Sequence, residues 1–566
     1  LALRAAAAAA HTNAAPAACP TEMLLACICC VVVSLGMASW QRVATEVERE
    51  VVPPLRTQGR FIVDATGRRV KWACTNWYGA HMEQNVPNGL QVQPASKMAA
   101  IIRGLGFNCV RLPYSVQGFK QNAPVKAEFV AAMPGLKSLK YMEVFDKVIE
   151  ALTRADLMVV VNAHVSDSMW CCSENDGNGM WFNDKYSEQD WLDAVRGMAA
   201  RYRSNPLVVG HDLRNEVRPD LRNMYFPEWS PLGRIGEAWN RVGQGIRESL
   251  GLSVPEIFSW RQAVEKGGAA VLAADPDALV VVEPYGSAFM CKSEMEAYPV
   301  RGIEGHLVWS FHDYRSFSVF TAIAADLCGR ETFSMLDLVW SFLQDYVGRM
   351  DPYPRNYKEY AEQRTASWGH IALDNLGPVW LGEFGTNMSS AHDVQDVEEF
   401  WRWVVAYLDE TDIDFAYWTV NGDSFPQGME GATRQHEQAE TYGLLNADYF
   451  TVRSPVHLAA LQALQRPSLG PLGAQDLRRK INSTGFLPYY YTVDWHRPRE
   501  RTGTWLGSVI FVLLSFLCLG SFFCCCRCLF PMQKSDAATW LLLRPQKRGL
   551  MDKSRYEAEQ TSYGAA

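Results

Sequence analysis

Val-Val-Gly-His-Asp-Leu-Arg-Asn-Glu (208–216) changes character along its length, starting as a β-prone apolar run and ending in Asp, Arg, Asn and Glu. A short apolar run that finishes in polar groups fits a parallel strand buried on both faces, with its C-terminal end at a site. The pattern recurs upstream at 70–77, 108–113 and 157–164, and downstream at 278–284, 306–312, 378–384 and 415–420. Helix-patterned stretches intervene, for example 96–104, 141–155, 188–202 and 394–407. Eight such strands alternating with helices predict an α/β chain folded as a (β/α)8 TIM barrel rather than an open sheet. That domain runs from 55 to 467, with residues 221–259 lengthening the loop after the fourth strand.

In such barrels the chemistry gathers where the strands end. Those positions hold Arg111, His164, Asn215, Glu216, His312, Tyr314, Glu383 and Trp418. One strand-end histidine is usually structural; so many polar and aromatic ends facing one mouth indicate a site. Two of them, Glu216 and Glu383 in Val-Trp-Leu-Gly-Glu-Phe-Gly (379–385), are carboxylates in apolar surroundings, where charge burial is costly without purpose. A carboxylate pair across a cleft is the apparatus for cleaving an acetal: one acid protonates the leaving oxygen, and the other attacks the anomeric carbon or activates water. Trp77, Trp170 and Trp181 lie in loops near the mouth, where core packing and sugar stacking are equally open readings.

The chain has 566 residues, with 54 basic against 62 acidic side chains and a formal charge of −8, which speaks against an electrostatic nucleic-acid binder. Its 19 Trp, 22 Tyr and 25 Phe instead suggest stacking surfaces. No zinc-ribbon spacing occurs among the cysteines, and the calcium-loop resemblance at Glu174–Asp176–Asn178 fails because Lys185 stands where the twelfth ligand belongs. Neither a metal nor an organic cofactor is expected. Cys74, Cys109, Cys171, Cys172, Cys291 and Cys328 lie in the body, and their pairing is left open.

Asn215-Glu216 after a β-run, with Glu383 in its Gly-Glu-Phe-Gly setting, resembles glycoside hydrolase family 5, the large cellulase family, over about residues 60–465. The loop Asn-Ala-His-Val-Ser-Asp-Ser-Met-Trp-Cys-Cys-Ser-Glu-Asn-Asp-Gly-Asn-Gly (162–179) and Glu-Thr-Tyr-Gly-Leu-Leu-Asn (440–446) are similar to a plant-type branch of it. The resemblance implies that Glu216 is the acid/base, that Glu383 is the nucleophile of a retaining reaction, and that Asn215 holds the sugar 2-hydroxyl. It further implies that Arg111 and Tyr314 orient Glu383 and keep it ionised, that His164 and His312 line the cleft, and that Trp418 floors it. It places Cys171 and Cys172 in disulfides. The implied substrate is a β-linked polysaccharide cut as an endo-β-1,4-glucanase cuts; a β-mannanase, a glycolipid-cleaving enzyme or a non-catalytic sugar-binding protein are the alternatives.

The flanks carry targeting signals. Residues 1–40 read as a low-complexity leader with a signal peptide or an uncleaved anchor, because the apolar core from Leu24 to Leu35 is short. Residues 468–501 read as a juxtamembrane linker, the uncharged stretch 502–526 as a transmembrane helix, and 527–566 as a cytosolic tail. The body is therefore expected outside the cytosol on a single-pass membrane protein, with Asn387 and Asn482 as glycan acceptors.

Overall fold

Eight parallel strands close on themselves in chain order. They are β1 (Ala73–Asn76), β2 (Cys109–Ser115), β3 (Met158–Val165), β4 (Val208–Asp212), β5 (Leu279–Val282), β6 (Leu307–Asp313), β7 (Val379–Phe384) and β8 (Asp414–Tyr417). Each matches one strand read from the sequence. The computed structural model describes residues 51–172, 176–220, 222–229, 240, 243–245, 248, 256–315, 354–387, 394–424 and 438–467. The leader, linker, uncharged stretch, tail and Asn482 lie outside them. Among the described residues no helix is long and apolar enough to cross a membrane.

The helices between strands include α1 (Ala95–Gly104), α2 (Tyr141–Arg154), α3 (Glu188–Tyr202), α4 (Trp260–Ala274), α5 (Tyr357–Arg364) and α6 (Val394–Thr411). In α2, Tyr141, Val144, Phe145, Val148, Ile149 and Leu152 recur at helical spacing and are all buried, so one stripe of the helix faces the barrel. The α3 start is fixed by a reciprocal cap, in which Ser187 Oγ accepts from the Asp190 N–H and Asp190 Oδ2 accepts from the Ser187 N–H.

Strand alternation divides the core into two. Val159, Val161 and Ala163 of β3 point outward into the cluster shared with the helices. Met158 and Val160 point inward, joining Trp72, Leu279, Val308 and Trp380 in an apolar plug that fills the barrel. The plug lifts polar inward residues to the mouth. It also holds a disulfide, Cys74–Cys109, between positions that face each other on β1 and β2. Its sequence separation of 35 closes a loop long enough to restrict the unfolded chain. Cys74→Ala/Cys109→Ala is expected to cost about 4 kcal/mol in a urea denaturation series. A loss below about 1 kcal/mol would show that the cross-link restrains nothing in the unfolded chain.

Several strand boundaries differ from the sequence reading by a few residues. β4 ends at Asp212, and beyond it the Leu213 and Asn215 N–H groups still bond the carbonyls of Val281 and Ala163 on the flanking strands. Within 221–259, Tyr225–Glu228 pairs in parallel with Glu256–Ser259, so the long loop carries a two-stranded sheet. Tyr225 and Phe258 of that sheet pack on each other and on Phe182.

Candidate active site

Arg111 on β2 is the hub of the mouth. It is fully buried, and all three of its nitrogens have carboxylate or amide acceptors. Nε donates to Asp212 Oδ2 (2.9 Å), and Nη1 to Glu383 Oε1 (2.5 Å) and Asn76 Oδ1 (3.1 Å). Nη2 donates to Asn215 Oδ1 (2.8 Å) and Glu283 Oε1 (2.7 Å). Burial works against the guanidinium charge, but Asp212, Glu383 and Glu283 outweigh it and raise the Arg111 pKa.

His312 on β6 is the second cation. Its Nδ1 lies 2.7 Å from Glu216 Oε1 and 3.6 Å from Glu383 Oε2, and its Nε2 lies 3.5 Å from Glu283 Oε1. Burial opposes its charge, yet Glu383 and Glu283 hold the proton and lift its pKa to about 10. Tyr314 Oη donates to Glu383 Oε2 at 3.0 Å. For Glu383, burial is the largest influence and raises the pKa; His312 and Arg111 lower it, but the net shift is upward. Arg111 does contact Glu383, and with His312 it offsets part of the burial that raises the Glu383 pKa.

Glu216 stands just beyond β4 with φ 42°, a left-handed backbone that costs a residue bearing a Cβ roughly 1–3 kcal/mol. Its N–H donates to Glu283 Oε2 at 2.7 Å. Glu283 therefore grips Arg111 and the Glu216 backbone and faces His312. Burial pushes its pKa up, but His312, Arg111 and the Glu216 N–H together hold it well below the usual carboxylate range. In Asp212, burial and Glu283 prevail over Arg111, and the pKa is raised.

Above these groups opens a cleft of about 240 Å³, lined among others by His164, Asn215, Glu216, Tyr314, Glu383 and Trp418. Arg111 and His312 lie directly beneath, so all eight residues singled out in the sequence converge. Trp418 stacks on Tyr78 with centroids 5.1 Å apart and planes 3° apart, and lies 6.0 Å from the nearly parallel His164 ring. His164 Nδ1 meets Asn162 Oδ1 at 2.7 Å, and burial with nearby His81 and Arg111 keeps it neutral. Of the three loop tryptophans, Trp170 lines the cleft. Trp77 is core, its Nε1 bonded to the Asn88 carbonyl, and Trp181 is buried against Trp260.

Residues 176–179 form a turn rather than a cation loop: Asp176 pairs with Arg218, and Asn178 Oδ1 accepts from the N–H groups of Ser166 and Asp167. Cys171 and Cys172 are joined to each other, and Cys291 is also disulfide-bonded. Glu216, His312 and Glu383 are near enough to share a metal ion. The sequence reading missed Glu283, Asp212, Asn76, His81 and Tyr442. Glu283 was detectable, because it closes the apolar run 278–284 as Glu216 and Glu383 close theirs.

A closed parallel barrel with paired carboxylates and an aromatic wall at its mouth is the architecture of a glycoside hydrolase. The family model Cellulase (glycosyl hydrolase family 5) matches residues 63–424. A glycosyl hydrolase 5 family protein of Chamaecyparis obtusa is 31% identical over 442 residues, covering 74% of this chain and 67% of that protein. An endoglucanase of Paenibacillus polymyxa is 25% identical over 412 residues, covering 70% and 84%. The catalytic domain of the major endoglucanase from Xanthomonas campestris pv. campestris shares the fold at a TM-score of 0.50 and 22% identity, over 73% of this chain and 99% of its own. The hyperthermophilic endocellulase of Pyrococcus horikoshii does so at 0.52 and 22%, over 73% and 98%. The chain belongs to glycosyl hydrolase family 5.

Proposed function

We propose that the protein is a retaining glycoside hydrolase that cleaves β-1,4-glucosidic bonds within a polysaccharide by double displacement. Glu383 attacks the anomeric carbon while Glu216 protonates the leaving oxygen; Glu216 then takes a proton from the water that releases the sugar. The observation that carries this reading is spacing. A carboxylate oxygen from each of Glu216 and Glu383 and a ring nitrogen of His312 lie within 4.8 Å of one another. Retaining carboxyls stand about 5–5.5 Å apart, whereas inverting pairs need about 6.5–9.5 Å to admit a water. Arg111 and Tyr314 fix the Glu383 carboxylate, Asn215 presents its amide to the sugar 2-hydroxyl, and Trp418 floors the cleft.

The glucan assignment is supported by relatives named endoglucanases and by a neighbouring Pyrococcus horikoshii endocellulase described in complex with cellotetraose. The loop at 162–179 suits the plant-type branch and a polysaccharide over a glycolipid. The cross-links at Cys74–Cys109 and Cys171–Cys172 favour an oxidising compartment, and the uncharged stretch 502–526 favours a tether to a membrane with the barrel outside the cytosol. The test is to incubate the full chain with β-glucans, mannan and glucosylceramide and to resolve the products by size. Oligosaccharides from a β-1,4-glucan, absent with Glu216→Ala, are expected. Release from mannan or glucosylceramide alone would move the enzyme to those substrates, and no product from any would favour the sugar-binding alternative.

A further inference from the structure

The Cys171–Cys172 disulfide joins neighbouring residues, with a sequence separation of 1. A cross-link between neighbours closes no loop of chain, so it removes almost no freedom from the unfolded state. Stapling, which accounts for Cys74–Cys109, does not account for it. Its position suggests another role. Both cysteines line the cleft beside Trp170 and Asn215, and both sulfurs lie within 4.8 Å of a Glu216 carboxylate oxygen.

The disulfide is also held in place by a chain of polar contacts ending at Glu216. Cys172 has φ 88°, in the left-handed region that side chains disfavour. Its N–H donates to Asp176 Oδ2 at 2.9 Å, Asp176 pairs with Arg218 Nη2 at 2.6 Å, and Arg218 Nη1 donates to the Glu216 carbonyl at 3.2 Å. The turn at 176–179 thereby couples the sulfurs to the backbone of the proposed acid/base.

We infer that the Cys171–Cys172 disulfide is the platform on which the leaving-group sugar of a β-glucan rests, an inference that builds on the roles proposed for Glu383 and Glu216. His312 and Glu383 approach Glu216 as one group, and the sulfurs approach it as another. Glu383 addresses the anomeric carbon and Glu216 the outgoing oxygen, so a surface against Glu216 meets the departing ring. Two joined sulfurs present a rigid, polarisable, weakly hydrated face suited to the C–H face of a pyranose. Asn215 Nδ2 points at both, 3.4 Å from Cys171 Sγ and 3.5 Å from Cys172 Sγ. Sulfur is a weak acceptor, so this contact orients the amide without saturating it, and a sugar hydroxyl can still claim it.

The test compares the full chain with Cys171→Ala/Cys172→Ala, and with wild type treated with a water-soluble phosphine. The phosphine breaks the S–S bond and is oxidised to its oxide with oxygen from water, while the two sulfurs leave as thiols carrying that water's protons. Cys74, Cys109 and Cys291 are buried, whereas Cys171 and Cys172 face the cleft, so mild treatment reaches the latter pair first. Two substrates are used: cellopentaose, which puts a sugar on the platform, and 2,4-dinitrophenyl β-cellobioside, whose leaving group needs no such support. Both perturbations are expected to lower kcat/KM on cellopentaose by about tenfold or more and on the aryl glycoside by less than about twofold, with reoxidation restoring the reduced enzyme. Equal losses on both substrates, or none, overturn the platform. If wild type cleaves neither substrate, the proposed catalysis fails, and the platform is judged by cellopentaose binding read from tryptophan fluorescence. Binding weakened about tenfold by reduction then upholds it, and unchanged or absent binding overturns it.

Discussion

Glu383→Ala is expected to lower kcat/KM on any glycan the enzyme cleaves by about 10⁴-fold or more, with the fold left standing. The carboxylate is 5% exposed, and its desolvation already raises its pKa. Deleting it removes a cost from the folded state along with the contact to Arg111, which keeps Asp212 and Glu283 as partners. The melting temperature should therefore move by only a few degrees, about what 1 kcal/mol produces in a chain of this size. The pH dependence has a definite sign. A carboxyl with a raised folded pKa contributes stability below its unfolded value and loses it as pH climbs through the folded one. Relative to wild type, the variant should thus gain stability as pH rises from the ordinary carboxylate range. Glu216→Ala should behave differently, losing about 10²–10⁴-fold on an unactivated glycan. Most of that loss should be recovered in the first step of a dinitrophenyl glycoside, which needs no proton. Steady-state and burst kinetics on both substrates separate the two roles. Glu383→Ala retaining activity within about a hundredfold of wild type would remove it as the nucleophile.

The mouth was legible because six of the eight apolar runs end in a polar or aromatic group: Arg111, His164, Asn215-Glu216, His312 with Tyr314, Glu383 and Trp418. What stayed hidden depends on backbone detail that pattern does not carry. Asp212 looked like a strand interior residue, but the register shift between Val159 and Val160 brings it opposite Asn162 and within reach of Arg111. Glu283 passed unnoticed because Pro284 follows at once and the run reads as plain strand, although it holds the Glu216 backbone. That left-handed backbone is itself invisible in the letters Asn-Glu-Val. Trp77, Trp170 and Trp181 share loop surroundings and aromatic neighbours; only the path of each loop sends two to the core and one to the cleft. The Cys74–Cys109 link required knowing the register of β1 against β2, which strand spans alone do not give.

Arg111→Met should produce the largest loss of stability, and one that depends on pH in a way packing does not. The side chain is the shared partner of Asp212, Glu283 and Glu383, and these are 0%, 0% and 6% exposed. Removing one partner of a buried pair costs about 3–5 kcal/mol because the remaining charge is left uncompensated. Here three carboxyls lose a shared cation at once, while His312 still faces Glu283 and Glu383. Arg111 lowers the pKa of each of the three. Without it their folded pKa values rise, and a raised carboxyl contributes stability at low pH that is lost as pH increases through its folded value. Wild type runs the other way through Glu283, whose depressed pKa contributes stability above the ordinary carboxylate range and loses it on acidification. The two stability curves must therefore converge toward acid. Urea denaturation at about pH 7.5 and about pH 5 should find a deficit of about 3–5 kcal/mol that roughly halves at the lower pH. Parallel curves, or a gap that widens on acidification, would mean that Arg111 is held by packing rather than by charge, and that the carboxylates of the mouth draw their compensation from another source.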